Sequence, residues 1–302
     1  MTMWINKKLR AIVSKVYSSD RFKLPRQVMH KIHYENPRFT SNAEMALYVD
    51  EWIKTFDIQY DLIVGVPRSG LLIASLIATQ LARPLATPDN SLWVSKSISP
   101  KPIRQILVID DCISTGKSIN AAAESMREQY PQAKVHTGVL FANDNNKGMV
   151  DSYFMIINGY QLFQWNMMHY KMGPVGFDLD GVICESSPNL RNEEKYLEFL
   201  AHARPYLIPE FEIDYIITSR LEKYRPQTEK WLKDHGVKYK NLIMWDAPSK
   251  PSEDEAAASF KSKMIKGTSI MYYVESSIKQ AEQIWSATKI PCLCIDELRI
   301  ID

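Results

Sequence analysis

Several things are scarce in this chain of 302 residues. It has four cysteines, Cys112, Cys184, Cys292 and Cys294, and no Cys-x-x-Cys pair. They therefore read as reduced thiols rather than a disulfide framework or a zinc site, which suggests the cytoplasm. No apolar stretch reaches the roughly 18 residues that a membrane-spanning helix requires. The first residues lack the apolar core and small-residue cleavage site of a signal peptide, so no secretion is expected. Net charge is only +2, which excludes strong global attraction to nucleic acid or membrane, and no nucleic-acid partner is expected. Internal repeats and low-complexity tracts are lacking too. What remains is an ordinary globular composition, 45% hydrophobic and 24% charged, long enough for two domains that each bury a core.

Charge is uneven locally. Residues 1–40 hold nine Lys and Arg against Asp20 and Glu35. Within them Ile5, Leu9, Ile12, Val13 and Val16 fall at helical spacing, predicting an amphipathic helix with a basic face. Such a helix either packs on the first domain or docks on anionic lipid or a lipid-linked acceptor, at the inner face of the membrane.

The most informative stretch is Ile106-Leu107-Val108-Ile109-Asp110-Asp111-Cys112-Ile113-Ser114-Thr115-Gly116-Lys117-Ser118. An apolar run reads as a buried parallel strand ending on two carboxylates. A hydroxyl-rich loop then opens into a helix, and backbone N–H groups at such a helix start bind phosphate. The two acids can accept hydrogen bonds from a vicinal diol, so the pattern describes a sugar phosphate. A nucleotide P-loop is excluded, because Asp111 stands where its first glycine belongs. This stretch resembles the phosphoribosyl-pyrophosphate (PRPP) signature of type I phosphoribosyltransferases. That resemblance implies PRPP binding by Asp110, Asp111, Ser114, Thr115, Gly116, Lys117 and Ser118.

Upstream, Tyr60-Asp61-Leu62-Ile63-Val64-Gly65-Val66-Pro67-Arg68-Ser69-Gly70 is another short strand breaking into a turn with one arginine. In the resembled family this turn holds the pyrophosphate, which implies a role for Arg68, Ser69 and Gly70. The intervening polar loop, Thr87 to Arg104, matches the family's mobile hood in position, with Lys96 and Lys101 able to neutralise departing pyrophosphate. The aromatic segment Tyr160 to Asn166 either lines an acceptor pocket or is core and linker.

A third pattern follows Met172-Gly173-Pro174. Val175-Gly176-Phe177-Asp178-Leu179-Asp180-Gly181 is a strand ending in Asp-x-Asp-Gly and resembles motif I of the haloacid dehalogenase (HAD) superfamily. The resemblance implies a phosphatase in which Asp178 is the nucleophile and Asp180 protonates the leaving oxygen. It further implies that Thr218 holds the phosphoryl group and that Lys261, or alternatively Lys263, is the motif III lysine. Mg2+ would be held by Asp178, Asp180 through its carbonyl, and Glu275. One departure stands out: the usual acidic pair of motif IV reads Glu275-Ser276 here.

The expected fold class is therefore α/β with two domains. Residues 1–170 would form a type I phosphoribosyltransferase-like parallel sheet with helices on both faces, preceded by the basic segment 1–40. Residues 174–302 would form a HAD-like Rossmannoid domain with a minimal cap, because only about 30 residues separate Asp180 from Asp214. Reaction logic joins them. Transfer of 5-phosphoribosyl from PRPP to a glycan or lipid-linked glycan, followed by loss of the 5-phosphate, leaves ribofuranose, as in bacterial polysaccharide synthesis. Two alternatives stay open: nucleobase salvage with an accessory HAD domain, and a non-catalytic PRPP sensor. A homodimer is allowed by this reading.

Overall fold

The structure, a computed structural model, describes residues 38–89, 92–93, 102–159, 161–169, 173–188, 192–249 and 254–302. The basic N-terminal helix, Lys96 and Lys101 of the hood, Tyr160 and Met172 lie outside the described residues.

The elements begin with β1 (Arg38–Thr40), α1 (Asn42–Ile53), β2 (Leu62–Gly65), α2 (Ser69–Gln80), β3 (Leu85–Ala86), β4 (Leu92–Trp93) and β5 (Gln105–Cys112). Next come α3 (Lys117–Gln129), β6 (Lys134–Ala142), β7 (Ser152–Ile156), β8 (Gln161–Phe163) and α4 (Asn166–His169). Six of these strands form a sheet in the order β4-β3-β2-β5-β6-β7, parallel except for the β3–β4 pair. The apolar runs of β2 and β5 are buried on both faces, which is why they read as continuous rather than alternating. Ile63, Leu107 and Ile109 pack with Trp52 of α1 and with Ile73 and Ile77 of α2. Leu62, Val64, Ile106 and Val108 pack on the opposite side with Ile119, Ala122 and Met126 of α3. Helices thus cover both faces, as expected. α1 starts on a capping box, in which Ser41 accepts from the Glu44 N–H while the Glu44 carboxylate accepts from the Ser41 N–H.

The second run of elements is β9 (Val175–Phe177), α5 (Glu193–His202), β10 (Ile213–Leu221), α6 (Arg225–Asp234), β11 (Tyr239–Trp245) and α7 (Asp254–Lys266). It closes with β12 (Tyr272–Glu275), α8 (Ile278–Thr288), β13 (Cys292–Cys294) and β14 (Arg299–Ile301). These strands make another six-stranded sheet, β11-β10-β9-β12-β13-β14, parallel except for the β13–β14 edge pair. Ala258 and Ile265 of α7 and Ala281 and Ile284 of α8 pack with Ile217, Tyr273 and Cys292 of the strands. Among the described residues between Asp180 and Asp214, α5 is the one helix. Its Tyr196 and Leu200 pack with Leu221 and Tyr224.

Three features were not anticipated. β5 runs on to Cys112, so Asp111 as well as Asp110 belongs to the strand. β1 and β8 pair in parallel as a separate two-stranded sheet, with Phe39 level with Leu162. β14 adds the antiparallel edge. Strands of three residues carry too little periodicity to be found by pattern. Within the aromatic segment Leu162 and Phe163 are buried, and Phe163 stacks on Phe141 and on the partly exposed Trp165.

Candidate functional sites

In a parallel sheet with right-handed crossovers, ligands gather at the carboxyl ends of the strands. β2 and β5 are neighbours with Gly65 level with Ile109, so both turns singled out in the sequence leave the same edge side by side. Their closest approach is at Gly70. A Cβ there would lie 2.6 Å from the Ile109 carbonyl oxygen and 3.1 Å from Asp110 Oδ1. Only glycine allows the Arg68-Ser69-Gly70 turn to lie this close to the acids. Arg68 is exposed, and the Pro67–Arg68 peptide is cis.

Each acid also fixes the backbone after it. Asp110 Oδ1 accepts the Asp111 N–H at 2.9 Å, and Asp111 Oδ1 accepts the Cys112 N–H at 2.7 Å. Both carboxylates are partly exposed, and no basic side chain pairs with either among the described residues. Burial, followed by the charge of Asp111, pushes Asp110 up to about 8. Beyond them Ser114, Thr115, Lys117 and Ser118 are exposed around the start of α3. Gly116 caps this helix in the left-handed region, φ 71°, which favours glycine, and no side chain occupies the cap. The Lys117 N–H makes a long contact to Thr115 Oγ1, 3.5 Å, and the N–H groups after it face the loop where an anion could sit.

One supporting residue escaped the sequence reading. The buried Asn146 donates its side-chain N–H to the Ile113 carbonyl and accepts the Asn143 N–H at 2.8 Å. It pins the base of the phosphate-type loop from the turn after β6. The Asn143-Asp144-Asn145-Asn146 run was the available signal.

Around Asp178 the picture differs. Asp178 follows β9, and Glu275 ends the adjacent β12. Lys261, on α7 and 1% exposed, donates to Asp178 Oδ2 and to Glu275 Oε2, both at 2.7 Å, and to Gln280 Oε1 at 2.9 Å. Of the two lysine candidates, Lys261 is the one brought to Asp178, whereas Lys263 is exposed. Burial raises the Asp178 carboxyl, and Lys261 opposes that rise. Lys261 itself is raised: burial works against its charge, and Asp178 and Glu275 outweigh burial.

Asp180 is held by a residue that received no role from the sequence. Arg220, fully buried, donates Nε and Nη2 to Asp180 Oδ1 at 3.0 and 2.6 Å. A proton for a leaving oxygen would have to travel on the other carboxyl oxygen of Asp180. Thr218, buried in β10, accepts the Arg220 N–H at 3.2 Å. The Thr218-Ser219-Arg220 triplet was a visible signal, but the end of a largely buried strand also accounts for it.

Protein groups already engage several oxygens of the expected metal set of Asp178, Asp180 and Glu275. Among the described residues, no three His, Cys, Asp or Glu side chains converge as a cation site. Glu275 Oε2 is taken by Lys261, and its Oε1 accepts the Ser276 and Ser277 N–H groups at 3.0 and 3.3 Å. The Ser276 hydroxyl donates to the Asp180 carbonyl oxygen at 3.4 Å. With the Lys261 ammonium between Asp178 and Glu275 and the Ser276 hydroxyl on the Asp180 carbonyl, the residues present do not fit Mg2+.

Comparison with known proteins bears on the first site. Residues 34–172 match the family model of the phosphoribosyl transferase domain. No curated protein matches the chain. Among solved structures, the chain is similar to xanthine-guanine-hypoxanthine phosphoribosyltransferase of Helicobacter pylori, at 17% identity and a TM-score of 0.36. That alignment covers 43% of this chain and 94% of the other. The purine phosphoribosyltransferase of Pyrococcus horikoshii gives 18% identity and a TM-score of 0.36, with the same shares covered. Orotate phosphoribosyltransferase of Aeropyrum pernix gives 21% identity over 35% of this chain and 63% of its own, with a TM-score of 0.27. The stretch that matches this family model, residues 34–172, is the one that carries both phosphate-type turns.

Proposed function

We propose that the chain transfers the 5-phosphoribosyl group of PRPP to an acceptor at the site formed by Asp110, Asp111 and the Ser114–Ser118 loop. The observation that carries this reading is the packing of Gly70 against Asp110. It brings the turn that would hold pyrophosphate beside the acids that would bind the diol. The acids would grip the ribose hydroxyls, and the loop would take the 5-phosphate. Arg68 and the backbone of its turn would take the pyrophosphate, with Mg2+ arriving as part of the Mg2+–PRPP substrate. An acceptor oxygen then attacks the anomeric carbon as the bond to pyrophosphate breaks, with inversion. Positioning and stabilisation of pyrophosphate charge supply the rate.

The acceptor in this proposal is a glycan, lipid-linked or free, and residues 174–302 are a HAD-like domain that removes the 5-phosphate. Asp178 and Asp180 follow β9, Thr218 lies in β10, and Lys261 reaches Asp178 from α7. A nucleotide salvage enzyme keeps its 5-phosphate and has no use for such a partner, whereas a ribofuranosyl glycan must lose it. The test is incubation with PRPP and separate panels of free nucleobases and saccharide acceptors, read as pyrophosphate release. Release with saccharides supports the proposal, release with bases alone favours salvage, and binding of PRPP without release favours a sensor.

A further inference from the structure

We infer that the acids around Asp178 take no divalent cation, because Lys261 already occupies the position from which a cation would bridge them. A cation shared by Asp178 and Glu275 would lie between Asp178 Oδ2 and Glu275 Oε2, and the Lys261 ammonium lies there, 2.7 Å from each. The ammonium is fixed rather than swinging free, since Gln280 takes its third proton at 2.9 Å. Gln280 is itself held by Asp254, which accepts its other amide group at 2.9 Å.

Other oxygens of the cluster are engaged by the protein as well. Asp178 Oδ1 accepts the Leu179 N–H at 2.8 Å, and Glu275 Oε1 accepts two backbone N–H groups. The Asp180 carbonyl, which a cation would need, faces the Ser276 hydroxyl. Ser276 is pressed against this turn: a Cβ on Gly181, whose φ is +85°, would meet Ser276 Oγ at 2.5 Å. A serine thus fills the space from which a carboxylate could have reached the cation. On the side of Asp180, Arg220 supplies the second fixed positive charge.

This inference rests on the proposed function only in treating the cluster as the place that receives a phosphoryl group. Its consequence there is specific. Chelation should stop pyrophosphate release, which needs Mg2+–PRPP, and leave removal of phosphate from a preformed phosphoribosyl product unchanged.

Mn2+ alone, titrated into the full chain carrying Asp110→Asn and Asp111→Asn, tests the cation claim without any turnover. Water-proton relaxation should show no saturable site. Adding Ser276→Asp or, separately, Lys261→Met to that background should create one, at least tenfold tighter than any residual binding. Saturable binding before either change, abolished by Asp178→Asn, overturns the inference. So does failure of both added variants to bind while circular dichroism shows them folded, because Lys261 and Ser276 would then not be what excludes the ion. If phosphate removal is never detected while the Mn2+ results are as expected, the phosphatase reading falls and the cation inference stands.

Discussion

The two clusters of acids end parallel strands in similar ways and are treated in opposite ways. Among the described residues, Asp110 and Asp111 have no basic partner, and they lie beside exposed hydroxyls and a helix start without a side-chain cap. Asp178, Asp180 and Glu275 are matched by buried Lys261 and Arg220, so the protein supplies its own counter-charges. A buried carboxylate left without a partner costs folding free energy and is retained where a ligand will complete it. A buried carboxylate already paired is compatible with a structural role as well as a chemical one. The first cluster therefore waits for its partner, and the second carries its partners with it.

The sharpest way to break this contrast is to remove the chemistry of the second cluster alone. If the proposed phosphatase step is correct, Asp178→Asn should block it completely while leaving transfer intact. The acceptor product should then carry a phosphoribosyl rather than a ribosyl mass. A wild type that itself accumulates the phosphorylated product would make the second cluster purely structural.

Lys261→Met tests the energetic side. With its ammonium gone, two buried carboxylates face each other, and stability should fall by about 3–5 kcal/mol. Chemical denaturation measures this, and a loss below about 1 kcal/mol would mean that the pair is not fixed as described. A smaller effect belongs to the first site's frame. Asn146→Ala leaves the buried Ile113 carbonyl unsatisfied and should cost about 1–3 kcal/mol. PRPP affinity should weaken as well, because the loop it pins is the proposed phosphate cradle.

The smallest effect concerns pH. Asp110, raised to about 8 in the folded chain, holds a proton there that the unfolded chain releases near its ordinary value of 3.8. The folded state thus binds the extra proton across that window, so this carboxyl's contribution to stability declines as pH rises toward 8. Asp110→Asn should flatten the melting temperature between pH 5 and 9 relative to wild type. PRPP affinity should move the other way, rising as pH passes 8 and the acid becomes a full acceptor. An identical pH profile in both proteins would contradict the assignment.

Much of this was legible in the sequence, and the exceptions have physical causes. The Ile106–Ile109 and Leu62–Val66 runs announced buried parallel strands, because residues buried on both faces leave no alternation to confuse the reading. The glycine, hydroxyl and acid punctuation located both turns. Their meeting at Gly70 could be guessed only from the order of the motifs, since strand adjacency is a tertiary fact. Lys261 was preferred over Lys263 on spacing. Arg220 was passed over because a single arginine after a strand usually faces solvent, and its pairing with Asp180 spans 40 residues. The metal set was named on spacing alone. Spacing shows which oxygens are near each other, but not that Lys261 and Ser276 have already engaged them.

The most direct test is pyrophosphate release from PRPP by wild type and by Asp110→Asn/Asp111→Asn, each with the best saccharide acceptor and with Mg2+ present. The account predicts release by wild type and a loss of at least about 100-fold in the double variant, since the groups that hold the ribose diol are gone. Phosphate removal from a preformed phosphoribosyl product should be equal in the two. Undiminished release by the folded double variant would contradict the central claim.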